Sequence, residues 1–159
     1  DAGVVDAWLA NSGHRRGWAL KTLHAQVLSR LDDPTIAIWG LAYKPDTAST
    51  KNSPAQALLE ALRPFAVRVY DPQVVLGSTG SPNVVQSETA LDACRGADAL
   101  TIMTPWREFS SIDLGQVREV MTGRIIVDPF GALESTRCTA LGFSHFRLGL
   151  PAQKPESTR

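Results

Sequence analysis

In residues 36–54 a short apolar run passes through a glycine into a long loop and then into a capped helix. Residues 36–39 form the continuous apolar run that a buried parallel strand needs. Gly40 then lets the backbone turn sharply at the carboxyl end of that strand. Ser53 is placed as an N-cap and Pro54 as the first helical residue. The segment therefore predicts the strand–loop–helix unit of an α/β protein.

The loop between Gly40 and Ser53 predicts a binding function. It contains about a dozen residues, whereas strand-to-helix connections usually have two to six, and such long loops tend to be functional. Its lysines are Lys44 and Lys51. The position of Lys44, just past a strand and near a helix amino terminus, favours an anion contact over a solvated charge. The three glycines of a dinucleotide fingerprint are missing, since Ala42 follows Gly40 where that motif has its second glycine.

Strand-like and helical patterns alternate along the rest of the chain. The predicted strands are 36–39, 67–70, 99–104, 124–128 and 145–148, and the predicted helices are 4–31, 54–62, 87–95, 113–121 and 133–141, with a loop over 77–83. In helix 54–62 we expect Ala57, Leu58, Ala61 and Leu62 to be buried. The pattern predicts an α/β fold with a Rossmann-like, mainly parallel sheet and helices on both faces, preceded by an amino-terminal helical segment. Ligands of such sheets bind at the carboxyl ends of the strands.

Charge and hydropathy exclude several classes of partner. Sixteen basic and sixteen acidic residues cancel, which gives no electrostatic basis for binding nucleic acid or an anionic membrane. No apolar run is long enough for a transmembrane helix, and no basic segment followed by an apolar stretch opens the chain. We therefore expect a cytoplasmic protein with no membrane partner.

The cysteines and histidines form no recognisable site in the sequence. Cys94 and Cys138 are far apart and lack a Cys-x-x-Cys pattern, so two unpaired thiols are favoured over a disulfide or a metal site. The three histidines are equally scattered. We predict no metal site.

Four separated segments resemble one known family. They are Gly40-Leu41-Ala42-Tyr43-Lys44-Pro45-Asp46-Thr47, Lys51-Asn52-Ser53-Pro54, Val67-Arg68-Val69-Tyr70-Asp71-Pro72, and residues 97–109, which read ADALTIMTPWREF. In this order they resemble the carboxyl-terminal domain of the UDP-glucose/GDP-mannose dehydrogenase family. The resemblance covers roughly residues 34–151.

The resemblance assigns roles to individual residues. It implies that Lys44 contacts a nucleotide-sugar substrate and that Tyr43 lines the same pocket. Lys51 stands where the family usually has an arginine that reaches the dinucleotide cofactor, and lysine keeps the charge without the bidentate fork. Asp71, at the end of the second strand, is a candidate for holding a ribose hydroxyl, although an Asp-Pro turn is an equally good structural explanation. Trp106 is a candidate to stack on the ligand or cover the site, with core packing as the alternative.

Two positions depart from the family pattern. Phe130, in Asp128-Pro129-Phe130-Gly131, and Leu150, in Leu148-Gly149-Leu150-Pro151, stand where the family commonly has arginines. Two expected positive charges are therefore apolar, and the identity of the ligand stays open. Arg147 and Arg137 are candidates to compensate.

The resemblance implies a function and a domain organisation. We expect the nucleotide-sugar-binding domain of an NAD-dependent UDP-glucose 6-dehydrogenase-like enzyme, which oxidises a sugar-nucleotide alcohol to a carboxylate for polysaccharide biosynthesis. No catalytic residue is expected, because neither cysteine has the family's catalytic context and no NAD-binding glycine motif is present. Residues 1–33 are expected to end a central dimerisation region, residues 34–151 to form the binding domain and residues 152–159 a flexible tail. The parent is expected to be a homodimer. The alternative is a degenerate, non-catalytic nucleotide-binding or oligomerisation module.

Overall fold

The computed structural model describes residues 14–77 and 81–157. Its helices are α1 (His14–Leu23), which continues into a π-helical turn (His24–Leu28), α2 (Pro54–Ala61), α3 (Ala90–Ala93), α4 (Arg107–Ser110), α5 (Leu114–Val120) and α6 (Ser135–Ala140). Its strands are β1 (Thr35–Trp39), β2 (Ala66–Tyr70), β3 (Val84–Gln86), β4 (Ala99–Ile102), β5 (Ile125–Val127) and β6 (Ser144–Phe146).

The six strands form one sheet in the order β3-β2-β1-β4-β5-β6, and every neighbouring pair is parallel. β1 and β4 are adjacent at its centre, and the chain moves outwards from β1 through β2 to β3 and from β4 through β5 to β6. Helices cover both faces, with α1 against α2 and β5, and α3 against β1, β2 and α5. The predicted Rossmann-like α/β fold is confirmed.

The central strands explain why the sheet needs cover on both faces. All four residues of β4 are buried, as are residues 36–39 of β1. Trp39 lies at the end of β1, where its indole N–H donates to the carbonyl of Ala90 at 2.9 Å and its ring packs on Phe109 at 5.1 Å between centroids. A single apolar core therefore ties β1 to α3 and α4.

The predicted start of α2 is confirmed, and part of its predicted buried face is wrong. Ser53 Oγ accepts the backbone N–H of Ala55 at 3.2 Å, and Pro54 begins the helix. Leu58 and Leu62 are buried as expected, but Ala57 and Ala61 are exposed. Ala55 supplies the buried small residue instead, because the helix turns its Ala55–Leu58–Leu62 face to the sheet at spacings of three and four residues.

Several elements differ from the predicted ones. β3 was not predicted, because it has three residues and none of them is buried. The helix expected over 87–95 is reduced to α3, which Thr89 caps through its side chain. The helix expected over 133–141 starts two residues later, at Ser135, since Ala132 and Leu133 donate their N–H groups to Asp128 instead.

The two ends of the chain extend beyond the described residues. Of the helical segment predicted over 4–31, residues 14–28 are helical and residues 4–13 lie outside the described part, as do 78–80 of the predicted loop and 158–159 of the predicted tail. Gln153 pairs with His145 in an antiparallel bridge, a contact that the prediction of a flexible tail did not include. The domain boundaries at 33/34 and 151/152 stay predictions. Within the described ranges no helix is long and apolar enough to cross a membrane.

Candidate functional site

The carboxyl ends of β1 and β4 meet at the point where the strand order reverses. Open α/β sheets bind ligands in the crevice at such a switch point. Gly40 follows β1 with a φ of +94°, and a Cβ on it would lie 2.5 Å from both the backbone nitrogen and the Cβ of Thr104. Only glycine fits this close approach, so the loop after β1 starts directly against the loop after β4.

A cavity of about 410 Å³ opens at this edge of the sheet. Its lining comes from the loops after β1, β4 and β5 and from the start of α2, and consists of Tyr43, Lys44, Asn52, Pro54, Met103, Pro129 and Phe130. Among these described residues, Lys44 is the one with a charged side chain. Tyr43 is 54% exposed and Phe130 is 38% exposed, so both rings offer apolar surface. An ammonium group beside exposed aromatic rings suits a ligand with an anionic part and a flat or apolar part.

The base of the loop that carries Tyr43 and Lys44 is fixed by Asp71. Its Oδ2 accepts the backbone N–H groups of Leu41 at 2.7 Å and Ala42 at 3.1 Å. Its Oδ1 accepts those of Gln73 and Val74, both at 2.8 Å. Asp71 is 6% exposed, so its carboxylate bridges the ends of β1 and β2 inside the protein.

Trp106 completes the same cluster. Its indole N–H donates to Asp71 Oδ2 at 3.1 Å, and the residue is 7% exposed. Neither Asp71 nor Trp106 lines the cavity. Five protein donors occupy the Asp71 carboxylate, which favours the structural alternative for both residues. Their direct contact with substrate stays a prediction.

Hydrogen bonds also hold the peptide just before Tyr43. The carbonyl of Ala42 accepts the hydroxyl of Thr104 at 2.7 Å and that of Ser53 at 3.4 Å. The N–H of Tyr43 donates to the carbonyl of Ser49 at 2.8 Å, which closes the loop on itself. Tyr43 and Lys44 therefore project from a backbone that is anchored on both sides, which reduces the entropy lost on binding.

Lys51 lies on the same loop but outside the cavity. It is exposed and belongs to the turn that precedes Ser53. Lys44 therefore lines the cavity and Lys51 does not. The predicted contact of Lys51 with a cofactor stays a prediction.

The turn after β5 is held by a buried network that the sequence did not reveal. Asp128 and His145 are both fully buried, and Asp128 Oδ2 lies 2.9 Å from His145 Nε2. His145 Nδ1 lies 2.7 Å from the hydroxyl of Ser135. Asp128 also accepts the N–H groups of Ala132 and Leu133. The signal for this network was an acid directly after one strand and a histidine in the next, which the parallel β5–β6 pairing brings together.

The two apolar departures from the expected pattern both reach the surface. Phe130 lines the cavity, and Leu150 is 52% exposed. At Phe130 an aromatic ring therefore occupies the wall where a guanidinium was expected. Arg147 lies between these two departures in sequence, directly after β6.

Neither cysteine is suited to act as a nucleophile. Cys94 and Cys138 are buried and unpaired. Burial raises the pKa of each thiol to about 12, so the reactive thiolate is scarce at neutral pH. No group of three metal-ligating side chains occurs within residues 14–77 and 81–157.

A larger groove elsewhere on the protein is a less suitable candidate for the binding site. It measures about 710 Å³ and lies beside the ends of α5 and α6, where Arg118, Leu141 and Lys154 contribute to its wall. It is more open, and it is away from the switch point between β1 and β4. We therefore place the candidate site at the cavity beside Lys44.

Comparison with known proteins gives a consistent family match. The family model described as "UDP-glucose/GDP-mannose dehydrogenase family, UDP binding domain" matches residues 37–135. The chain is 29% identical over 160 residues to a UDP-glucose 6-dehydrogenase of Pseudomonas aeruginosa, covering 95% of the chain and 35% of that protein. It is 32% identical over 117 residues to a putative UDP-glucose 6-dehydrogenase of Bacillus subtilis, covering 72% of the chain and 27% of that protein. The chain thus spans about a third of the length of such relatives.

Comparison with solved structures also finds nucleotide-sugar dehydrogenases. A UDP-D-ManNAc dehydrogenase from Pyrococcus horikoshii superposes with a TM-score of 0.67 at 28% identity, covering 84% of this chain and 30% of that one. An NDP-N-acetyl-D-galactosaminuronic acid dehydrogenase from Methanosarcina mazei superposes with a TM-score of 0.70 at 22% identity, covering 86% and 28% respectively. The second likeness concerns the fold alone.

Proposed function

Because the chain belongs to the UDP-glucose/GDP-mannose dehydrogenase family and matches its UDP binding domain, we propose that it binds a nucleotide sugar for an NAD-dependent UDP-glucose 6-dehydrogenase-like enzyme. The observation that carries this proposal is the cavity at the β1–β4 switch point, where Lys44 is the charged residue among the described lining. The cavity joins a cation to exposed aromatic rings, as a ligand with phosphate and ring parts requires.

The domain contributes binding and orientation to catalysis. Lys44 neutralises phosphate charge or holds the sugar, and Tyr43 and Phe130 supply apolar contact. The hydrogen bonds from Asp71 and Thr104 fix the backbone that carries Tyr43 and Lys44, so the ligand meets a preorganised surface. Such positioning lowers the barrier of a reaction whose chemical groups lie elsewhere.

We propose that the reacting groups lie outside this chain. Oxidation of a primary alcohol to a carboxylate removes two hydrides, which two molecules of NAD would accept in turn, while water supplies the second oxygen. Neither buried thiol offers a thiolate for a covalent intermediate, since the pKa of each is raised to about 12. The chain alone is therefore expected to be inactive. Lys51 is proposed to approach the NAD held by the rest of the parent enzyme.

The parent protein has a cellular setting that follows from the same function. We place it in the cytoplasm as a homodimer that supplies sugar acids for polysaccharide synthesis. The balanced charge of the chain supports a small-molecule ligand over nucleic acid or a membrane.

A second candidate function is a degenerate, non-catalytic nucleotide-binding or oligomerisation module. It is favoured by the exposed apolar side chains of Phe130 and Leu150 at positions where positive charge was expected. A module that had lost its substrate would bind UDP-glucose no better than it binds uridine.

Isothermal titration of the purified chain with UDP-glucose, UDP and uridine tests the proposal. We expect saturable one-site binding of UDP-glucose and UDP, and much weaker binding of uridine. Assays with UDP-glucose and NAD should show no NADH formation by the chain alone. Equal or absent binding of all three ligands would favour the degenerate module.

A further inference from the structure

Arg147, the first residue after β6, carries a charge that the described part of the chain does not neutralise. Its Nε is buried without a hydrogen-bond partner. None of the ion pairs found within residues 14–77 and 81–157 includes it. A buried N–H without a partner costs free energy, and it marks the guanidinium as a group that no described side chain neutralises.

The turn after β5 is built around this guanidinium. A Cβ on Gly131 would lie 2.8 Å from both Nε and Cζ of Arg147, so the guanidinium fills the volume that a side chain would need. Gly131 also has a φ of +65°, and its N–H closes the turn onto the carbonyl of Asp128 at 3.2 Å. Glycine at this position therefore satisfies both the turn and the arginine.

The nearest buried acid in this turn is occupied by other donors. Asp128 accepts from Ala132 and Leu133 through their backbone N–H groups, and its Oδ2 lies 2.9 Å from His145 Nε2. Arg147 as a whole is only partly buried, and its Nη2 packs on Gly131 together with Nε and Cζ. The arginine is thus held in place by packing, while its charge stays available.

The position of Arg147 connects it to the candidate site. Because all six strands are parallel, the residue after β6 lies at the same edge of the sheet as the loops after β1, β4 and β5. Gly131, which contacts the guanidinium, directly follows Pro129 and Phe130, and these two residues line the cavity together with Lys44. Arg147 is not among the described lining residues, so it would reach a ligand across the Gly131 turn.

We propose that Arg147 is a second anion contact of this site, whose terminal N–H groups bind a phosphate of the nucleotide sugar across the Gly131 turn from Lys44. The planar guanidinium fork matches two phosphate oxygens, which a lysine cannot do. Arg147 in this way supplies the positive charge that Phe130 and Leu150 lack. The inference rests on the proposed function, and it adds a residue and a ligand group to that function.

The test titrates the wild-type chain, Arg147→Gln and Arg147→Lys with UDP and with uridine. Arg118→Gln is the matched control, since Arg118 is an exposed arginine that bonds the carbonyl of Leu141, beside the other groove. We expect Arg147→Gln to weaken UDP binding about ten- to hundred-fold and to leave uridine binding unchanged. Arg147→Lys should recover part of the loss, and Arg118→Gln should match wild type. Equal UDP affinity in Arg147→Gln and wild type would overturn the role of Arg147 and leave the proposed function standing.

A second measurement avoids variants that fold poorly and separates the two proposals. In the wild-type chain, the NMR signal of the Arg147 Nε–H is followed during titration with inorganic pyrophosphate. A saturable shift supports an anion site at Arg147 even if UDP-glucose does not bind and the proposed function fails. An unshifted signal, with Lys44 resonances that do move, would assign the anion to Lys44 alone and overturn the inference. A chain in which neither signal moves would contradict both proposals.

Discussion

The carboxylate of Asp71 at the end of β2 accepts the backbone N–H of Leu41 at 2.7 Å, just beyond the end of β1. The same oxygen binds Ala42 and Trp106, so one buried acid joins the ends of three strands. Tyr43 and Lys44 follow these peptides directly. Asp71 therefore acts on the candidate site through the backbone, and it determines where the loop can present Lys44.

Replacing Asp71 with asparagine should destabilise the fold and loosen the loop. Asparagine keeps one acceptor oxygen and has an NH2 group in place of the other. This NH2 group would face backbone N–H donors, so buried N–H groups would be left unpaired. We expect a loss of about 2–4 kcal/mol in the free energy of unfolding, measured by denaturant titration. Amide hydrogen exchange at Leu41 and Ala42 should accelerate more than exchange in β5.

Asp46→Asn is the matched control for that experiment. Asp46 lies on the same loop, is exposed and has a φ of +63°, which asparagine tolerates. It should leave the free energy of unfolding within about 0.5 kcal/mol of wild type. Equal stability of Asp71→Asn and Asp46→Asn would show that the Asp71 cluster does not anchor the loop.

Substitutions of the two lysines of the loop should have different effects on UDP-glucose binding. Lys44→Ala removes the charged side chain from the described wall of the cavity and should weaken UDP-glucose binding about ten- to hundred-fold, the value of one charge-assisted hydrogen bond. Lys51→Ala should leave that affinity unchanged, because Lys51 lies outside the cavity. Calorimetric titration measures the UDP-glucose affinity of both variants. Identical losses would mean that the loop attracts the ligand through its overall charge and that Lys44 makes no specific contact.

An arginine at position 130 should strengthen the site. Phe130 lines the cavity and is 38% exposed, so a guanidinium there would face the ligand without being forced into the core. We expect Phe130→Arg to tighten UDP-glucose binding about ten-fold, with Phe130→Met as the uncharged control. Pro129 fixes its own φ and offers no N–H, which limits how far the turn can adjust. Weaker binding in Phe130→Arg than in Phe130→Met would mean that the aromatic ring itself is part of the ligand contact.

Both cysteines should resist thiol reagents in the folded chain. Burial raises the pKa of Cys94 and of Cys138 to about 12, so each thiol is protonated and inaccessible at pH 8. A colorimetric disulfide reagent should label neither residue in buffer and both in denaturant. Rapid labelling of the native chain would contradict the proposal that the nucleophile lies outside it.

The sequence predicted those parts of the fold that depend on local patterns. The apolar run 36–39, Gly40 and the Ser53–Pro54 cap are consecutive in the chain, and each obeys a rule of strand or helix geometry. The sequence did not predict short or polar elements such as β3. The three residues of β3 are not buried, so they give no hydrophobic periodicity.

Contacts between neighbouring strands could not be predicted from the sequence either. The pairing of Asp128 with His145 spans 17 residues, and it arises from the β5–β6 register, which no local pattern specifies. The packing of Arg147 on Gly131 is of the same kind. Lys44 could be predicted as a candidate because it follows a strand, and it lines the cavity. The role of Asp71 as an anchor needed its five hydrogen-bond partners to be located in space.

Mapping of UDP-glucose onto the chain by backbone NMR would locate the nucleotide-sugar site. Titration should shift the amide signals of Tyr43, Lys44 and Phe130, around the cavity at the β1–β4 switch point, in a saturable manner. Signals around Arg118 and Leu141, at the larger groove, should stay unchanged. Saturable shifts confined to that groove, or no shifts at all, would contradict the assignment of this cavity as a nucleotide-sugar site.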